Sequence, residues 1–114
     1  MIEKLARLLV LINRNRGDIV DITPSDGEYY FKFRDKFFSI RKGRNASFFA
    51  YPKWTGDISG LMSTSNDSAN ANYVYISGSD SNNLLGEKVL DELYDWIDAK
   101  SSGVDTLFAD LGIN

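Results

Sequence analysis

Residues 28–41 read EYYFKFRDKFFSIR, two runs rich in aromatic and β-branched residues, Glu28 to Arg34 and Phe37 to Arg41, on either side of Asp35-Lys36. Such residues favour strands, and two residues are enough for a tight turn, so the stretch predicts an antiparallel hairpin. With Asp35 and Lys36 as the loop, Arg34 pairs with Phe37, Phe33 with Phe38, Lys32 with Ser39 and Phe31 with Ile40. Side chains alternate between the faces of a strand. That places Tyr29, Phe31, Phe33, Phe38 and Ile40 on a core face and Tyr30, Lys32, Arg34, Phe37, Ser39 and Arg41 on a second, basic and aromatic face. A one-residue slip would mix the two sets, so their separation supports the pairing.

Working outward, Lys42-Gly43-Arg44-Asn45 reads as the next turn and Ala46 to Tyr51 as a third strand, ended by Pro52. Continued pairing puts Phe49 and Tyr51 inside and adds Phe48 to the basic and aromatic face. Residues 55–71 hold only Ile58, Leu61 and Met62 as large apolar groups, which predicts a mobile loop with at most one helical turn. Asn72 to Ser77 alternates again, burying Val74 and Ile76 and turning Tyr73 and Tyr75 the other way. Gly78 to Asn83 reads as a polar turn. From Leu84 to Lys100, Leu85, Val89, Leu90, Leu93, Trp96 and Ile97 recur at helical spacing. Ser101-Ser102-Gly103 ends that helix, and Val104, Leu107, Phe108 and Leu111 suit a short final one.

Upstream of the hairpin, Ile2, Leu5, Leu8, Leu9 and Ile12 form one side of an N-terminal helix stopped at Gly17. Asp18 to Asp21 suits a short extended piece, and Thr23-Pro24-Ser25-Asp26-Gly27 a turn. Helix, three strands, loop, strand and two helices make an α+β fold: an antiparallel sheet of about four strands with the N-terminal and C-terminal helices packed on one face. We expect a single domain over residues 1–114, with no internal repeat.

The chain has 114 residues, 43% of them hydrophobic and 13% aromatic, enough to bury one core without disulfide or metal staples. It has neither Cys nor His. This removes disulfides, thiolate chemistry and the commonest general base and metal ligand, so no cofactor and no metal are expected. No apolar run approaches the roughly 18 residues of a membrane span and no secretory leader is apparent, so a cytoplasmic location is expected. Charge is polarised, with eleven Lys and Arg against six Asp and Glu in residues 1–54 and two against ten in the remainder. Such asymmetry speaks to association rather than to a reaction.

Two candidate surfaces follow. The first is the sheet face carrying Tyr30, Lys32, Arg34, Phe37, Arg41, Phe48, Tyr73 and Tyr75, whose aromatic area calls for a cover: the long loop, a second copy or another partner. The second is the stack of carboxylates Glu87, Asp91, Asp95 and Asp98 along one side of the long helix, a solvated face or a docking strip for a basic partner. Ser catalysis lacks a His base, and the scattered glycines match neither a phosphate loop nor a dinucleotide fingerprint, so no enzyme is expected. The leading expectation is a small protein-binding module, self-associating through the aromatic face. Single-stranded nucleic-acid binding by Lys32, Arg34, Arg41 and Arg44 on that same face is the alternative, since rings stack bases and cations meet phosphates. The element order also resembles the double-stranded RNA-binding domain, whose last helix opens with a lysine cluster. Leu84 to Lys88 offers one Lys beside Glu87, so that family's binding residues do not carry over.

Overall fold

A computed structural model describes residues 1–44, 46–65, 72–86 and 88–113. Helix α1 (Ile2–Arg14) leads through a 3-10 turn to strand β1 (Ile19–Ser25), followed by β2 (Glu28–Phe33), β3 (Lys36–Arg41) and β4 (Ser47–Ala50). Helix α2 (Ile58–Ser65), strand β5 (Val74–Ser77) and helices α3 (Gly78–Leu85), α4 (Val89–Ser102) and α5 (Val104–Asp110) complete the chain. The architecture is α+β, with five strands rather than about four, in the order β1-β2-β3-β4-β5 and every neighbour antiparallel. The added strand is β1. It runs through Thr23-Pro24-Ser25, read above as a turn, and the turn itself shrinks to Asp26-Gly27, both at positive φ. Left-handed residues at both positions match the twist of a two-residue hairpin.

The central hairpin also turns on left-handed residues, Arg34 and Asp35, at φ of 50° and 64°. Phe33 therefore lies opposite Lys36, Phe31 opposite Phe38 and Tyr29 opposite Ile40, two residues from the expected pairing. A shift of two preserves the alternation, so both faces keep their expected members. It also sets the Phe31 and Phe38 rings 5.7 Å apart and stacked.

The next connection moves the other way. Arg41 lies opposite Ser47 and Ile40 opposite Phe48, leaving five residues in the loop. An odd loop in place of an even one reverses β4, so Phe48 enters the helix-covered core while Phe49 and Tyr51 face the opposite side. The assignment of Phe48 to the basic and aromatic face is thereby corrected. Its ring stacks on Phe38 at 5.5 Å, and it is fully buried.

The main core lies between the sheet and helices α1, α3 and α4. Leu5, Leu9 and Ile12 of α1 and Leu90, Leu93 and Ile97 of α4 meet Phe31, Phe33, Phe38, Ile40, Phe48 and Ile76. The expected long helix from Leu84 is instead two helices. Gly86, at φ 85°, takes a conformation a side chain would strain, and it ends α3 there. The expected polar turn at residues 78–83 is part of α3, because the Ser77 hydroxyl accepts the Asp80 N–H at 3.1 Å and caps its start. Gly78 allows close packing: a Cβ there would stand 3.0 Å from that of Ala46. Residues 55–71 hold more structure than one turn, since α2 spans eight residues. Its Ile58 and Leu61 close over the second face of the sheet. Residues 66–71 lie outside the described residues. Among the described residues, no helix is long and apolar enough to cross a membrane.

Candidate protein-binding surface

On the second face, alternation aims Tyr30 of β2, Phe37 of β3, Phe49 of β4 and Tyr51 just beyond it at one another. Burial of Ile58 and Leu61 from α2 over these rings makes a second, smaller core. The helix is anchored at its start. Asp57 accepts the Gly60 N–H on its carboxylate at 2.7 Å and the Trp54 indole N–H on its backbone carbonyl at 2.9 Å. The cover that the aromatic face called for is thus supplied by the chain itself, and Tyr30 and Phe37 are buried beneath it.

Beneath the cover runs a polar chain that the sequence reading missed. Ser39, fully buried, donates to the Glu28 carboxylate at 2.8 Å and meets the Tyr51 hydroxyl at the same distance. Arg41 approaches Glu28 from the rim at 3.4 Å. Burial pushes the Tyr51 phenol above its ordinary range, with the Ser39 hydrogen bond working against the shift. One signal was available in the sequence: Glu28, Tyr30 and Lys32 alternate along one strand and Ser39 and Arg41 along the strand paired with it, so an acid, a hydroxyl and a cation were already on one face.

The remaining expected residues scatter. Lys32 lies over the Phe37 ring at 5.4 Å and opens onto a cleft of about 460 Å³ that it shares with Asp21 and Asp57. Arg34 sits in the turn and pairs with Asp18 at 3.0 Å. With Tyr30 and Phe37 covered and Phe48 in the other core, those rings present no stacking platform for bases, and carboxylates flank the cleft beside Lys32.

What stays open is the β5 end. Tyr75 is 54% exposed and Tyr73 39%, and both stand against Phe49, at 5.7 and 5.3 Å between ring centres. Tyr73 also meets Tyr51 at 6.3 Å, and Arg41 lies over Phe49 at 5.1 Å. The two exposed rings are therefore braced from below. Among known proteins, no family model, no curated protein and no solved structure matches this chain. The site thus stands on its own geometry.

The two edges of the sheet differ. Strand β1 is interrupted by a bulge between Val20 and Thr23, with Asp21 at φ 56°, and carries Pro24. Bulge and proline both obstruct pairing with another strand. Strand β5, Val-Tyr-Ile-Ser, has neither a proline nor a charge.

Two members of the acidic strip are engaged within the molecule. Asp95 accepts from Lys42 at 2.6 Å and Asp98 from the Tyr29 hydroxyl, tying α4 to the first two hairpins. The Asp98 contact raises the Tyr29 pKa to about 12, while burial, with the Asp98 charge adding to it, raises that of Tyr94. Hydrogen bonding to Asp95 raises the Lys42 pKa. Asp91 is half-buried, and Glu87 lies outside the described residues. Among the described residues, no group of three or more acidic side chains is placed to hold a metal ion.

Proposed function

We propose that this chain is a non-enzymatic protein-binding module whose contact surface is the aromatic edge formed by Tyr75 on β5 and Tyr73 just before it, with Arg41 at its margin. The observation that carries the reading is the braced pair of exposed tyrosines at the one edge strand that lacks a bulge and a proline. Tyrosine and arginine are the residues that most often dominate interface energetics, and rings already fixed by Phe49 lose little freedom on binding. The absence of His and Cys supports occupation of a partner's surface rather than chemistry.

A second copy of the chain is the simplest partner. Two β5 strands can pair antiparallel across a two-fold axis, each satisfying the other's backbone and burying Tyr73 and Tyr75 between copies. The α2 cover narrows the surface from the broad sheet face to this edge. Hydrogen exchange tests the reading. Amides of residues 74–77 should gain protection as protein concentration rises, in low and high salt alike, and lose that gain in a Tyr75→Glu chain. Exchange at β5 that ignores concentration and substitution would remove the edge as a contact.

A further inference from the structure

Two more surfaces are open, and neither includes Tyr73 or Tyr75. Helix α1 has a second stripe beside its buried one. Val10 and Leu11, beside the buried Ala6 and with Leu84 and Leu85 of α3, line a groove of about 540 Å³, and Glu3, Arg7 and Arg14 form its borders. Leu11 and Leu84 are 42% and 47% exposed. Among the described residues, neither Arg7 nor Arg14 takes part in an ion pair. The groove is therefore an apolar floor bordered by one carboxylate, Glu3, and, among the described residues, by two arginines without an ion-pair partner.

Helix α5 has the opposite character. Val104, Leu107, Phe108 and Leu111 follow helical spacing and form one stripe. Phe108 is 43% exposed, Leu107 54% and Leu111 65%. A surface helix ordinarily turns such a stripe toward a core. Here α5 joins α4 through Gly103 in a left-handed conformation and packs only against the end of that helix among its main contacts. Asp110 lies one helical turn beyond Leu107 and is exposed, so the stripe carries a carboxylate beside it.

We propose that α5 of one copy seats Leu107, Phe108 and Leu111 in the α1–α3 groove of a second copy, with Asp110 against the Arg7 and Arg14 border. Three observations select this occupant. The groove is apolar and its borders carry two arginines against one glutamate, and α5 is apolar with an acidic neighbour, so Asp110 finds its match on the Arg7 and Arg14 side, away from Glu3 at the start of α1. The lengths agree: Glu3 to Arg14 extends for about 16 Å along α1, and the seven residues of α5 need about 10 Å. Both halves of the contact also belong to one chain. Exchanged reciprocally, they close into a two-fold pair in which each copy contributes one helix and one groove.

The test uses the full chain carrying Tyr75→Glu, so that pairing at β5 is absent, with mass by light scattering over a range of concentrations. A dimer is expected. Adding Phe108→Glu, or separately Leu84→Glu, should weaken it by about tenfold or more. Both positions are already exposed, and circular dichroism of each variant is the check that it keeps its fold. Mixing the two variants should restore a dimer at concentrations where each alone is monomeric, because an intact α5 then meets an intact groove. A parent chain that stays monomeric, including one that docks α5 in its own groove, overturns the proposal. So does a dimer indifferent to both substitutions, or a mixture no more associated than its components.

Discussion

The two faces of the sheet are built from the same strands and reach burial by different means. On the helix side, α1 and α4 supply leucines and isoleucines to a phenylalanine stack. On the other side, a single eight-residue helix covers tyrosines, a buried carboxylate and a buried hydroxyl. The difference teaches that alternation assigns residues to faces but does not set how much stability each face holds. A wide apolar layer gains from area alone. The thin layer depends in addition on every polar group finding its partner, because a buried orphan costs about 1–3 kcal/mol.

The largest test of that contrast removes one side chain from each face. Phe48→Ala should cost about 4 kcal/mol, since it opens a large cavity in the middle of the aromatic stack where relaxation is limited. The whole chain should unfold at lower denaturant, with both faces lost together. Leu61→Ala should cost about 2 kcal/mol and act locally. Amides of α2 should exchange faster and a hydrophobic dye should bind over Tyr30 and Phe37, while the helix-side amides stay protected. Equal costs and a single common loss of protection would show one cooperative core in place of two unequal ones.

How far the sequence foretells this molecule depends on loop parity. Face membership in β2 and β3 was legible because apolar and basic residues separate cleanly there, and it survives a pairing shift of two. Phe48 and Phe49 are adjacent, identical in chemistry and both buried, so nothing in β4 itself says which one faces the helices. That choice is made by the number of residues between Arg41 and Ser47, and the backbone of a Gly-containing turn sets that number. Strand β1 was hidden by Pro24 and Asp26-Gly27, which signal a turn, although proline is tolerated on an edge strand. For α2, three apolar residues among Ser, Thr and Gly give a weak signal, and the helix is settled by tertiary burial of Ile58 and Leu61. As for the candidate site, Tyr73 and Tyr75 were legible by alternation. The burial of Tyr30 and Phe37 was not, because their cover comes from a segment without strong periodicity.

Alkaline titration sharpens the comparison with a smaller effect. The Asp98 carboxylate holds the Tyr29 hydroxyl protonated to about pH 12, and Tyr94 beside it and Tyr51 on the other face are raised as well. A phenol whose folded pKa lies above its unfolded value of roughly 10 contributes stability that is complete below that pH. The contribution is lost as pH rises through the unfolded value toward the folded one. Denaturant midpoints should therefore fall steadily above about pH 10. Tyr29→Phe should cost about 1 kcal/mol at neutral pH and make that fall shallower. The tyrosinate absorbance of the variant should lose its latest-titrating component on the helix side and keep that of Tyr51. An unchanged slope would mean that the seam between α4 and the hairpins adds nothing to folding.

The smallest effect is a gain. Arg34 and Asp35 both occupy left-handed conformations in the hairpin that carries the two faces, and a side chain there is strained in a way that glycine is not. Arg34 is held by its pairing with Asp18, whereas Asp35 has an exposed side chain with no role in either core. Asp35→Gly should stabilise the chain by about 0.5 kcal/mol, the relief of a strained φ offset in part by the greater freedom of glycine in the unfolded state. Because the turn fixes the pairing of β2 with β3, the gain should appear equally in the protection of amides beneath α2 and beneath α1. A gain confined to one face would mean that the hairpin can loosen on that side without releasing the other, and the two cores would then be independent units that share a sheet.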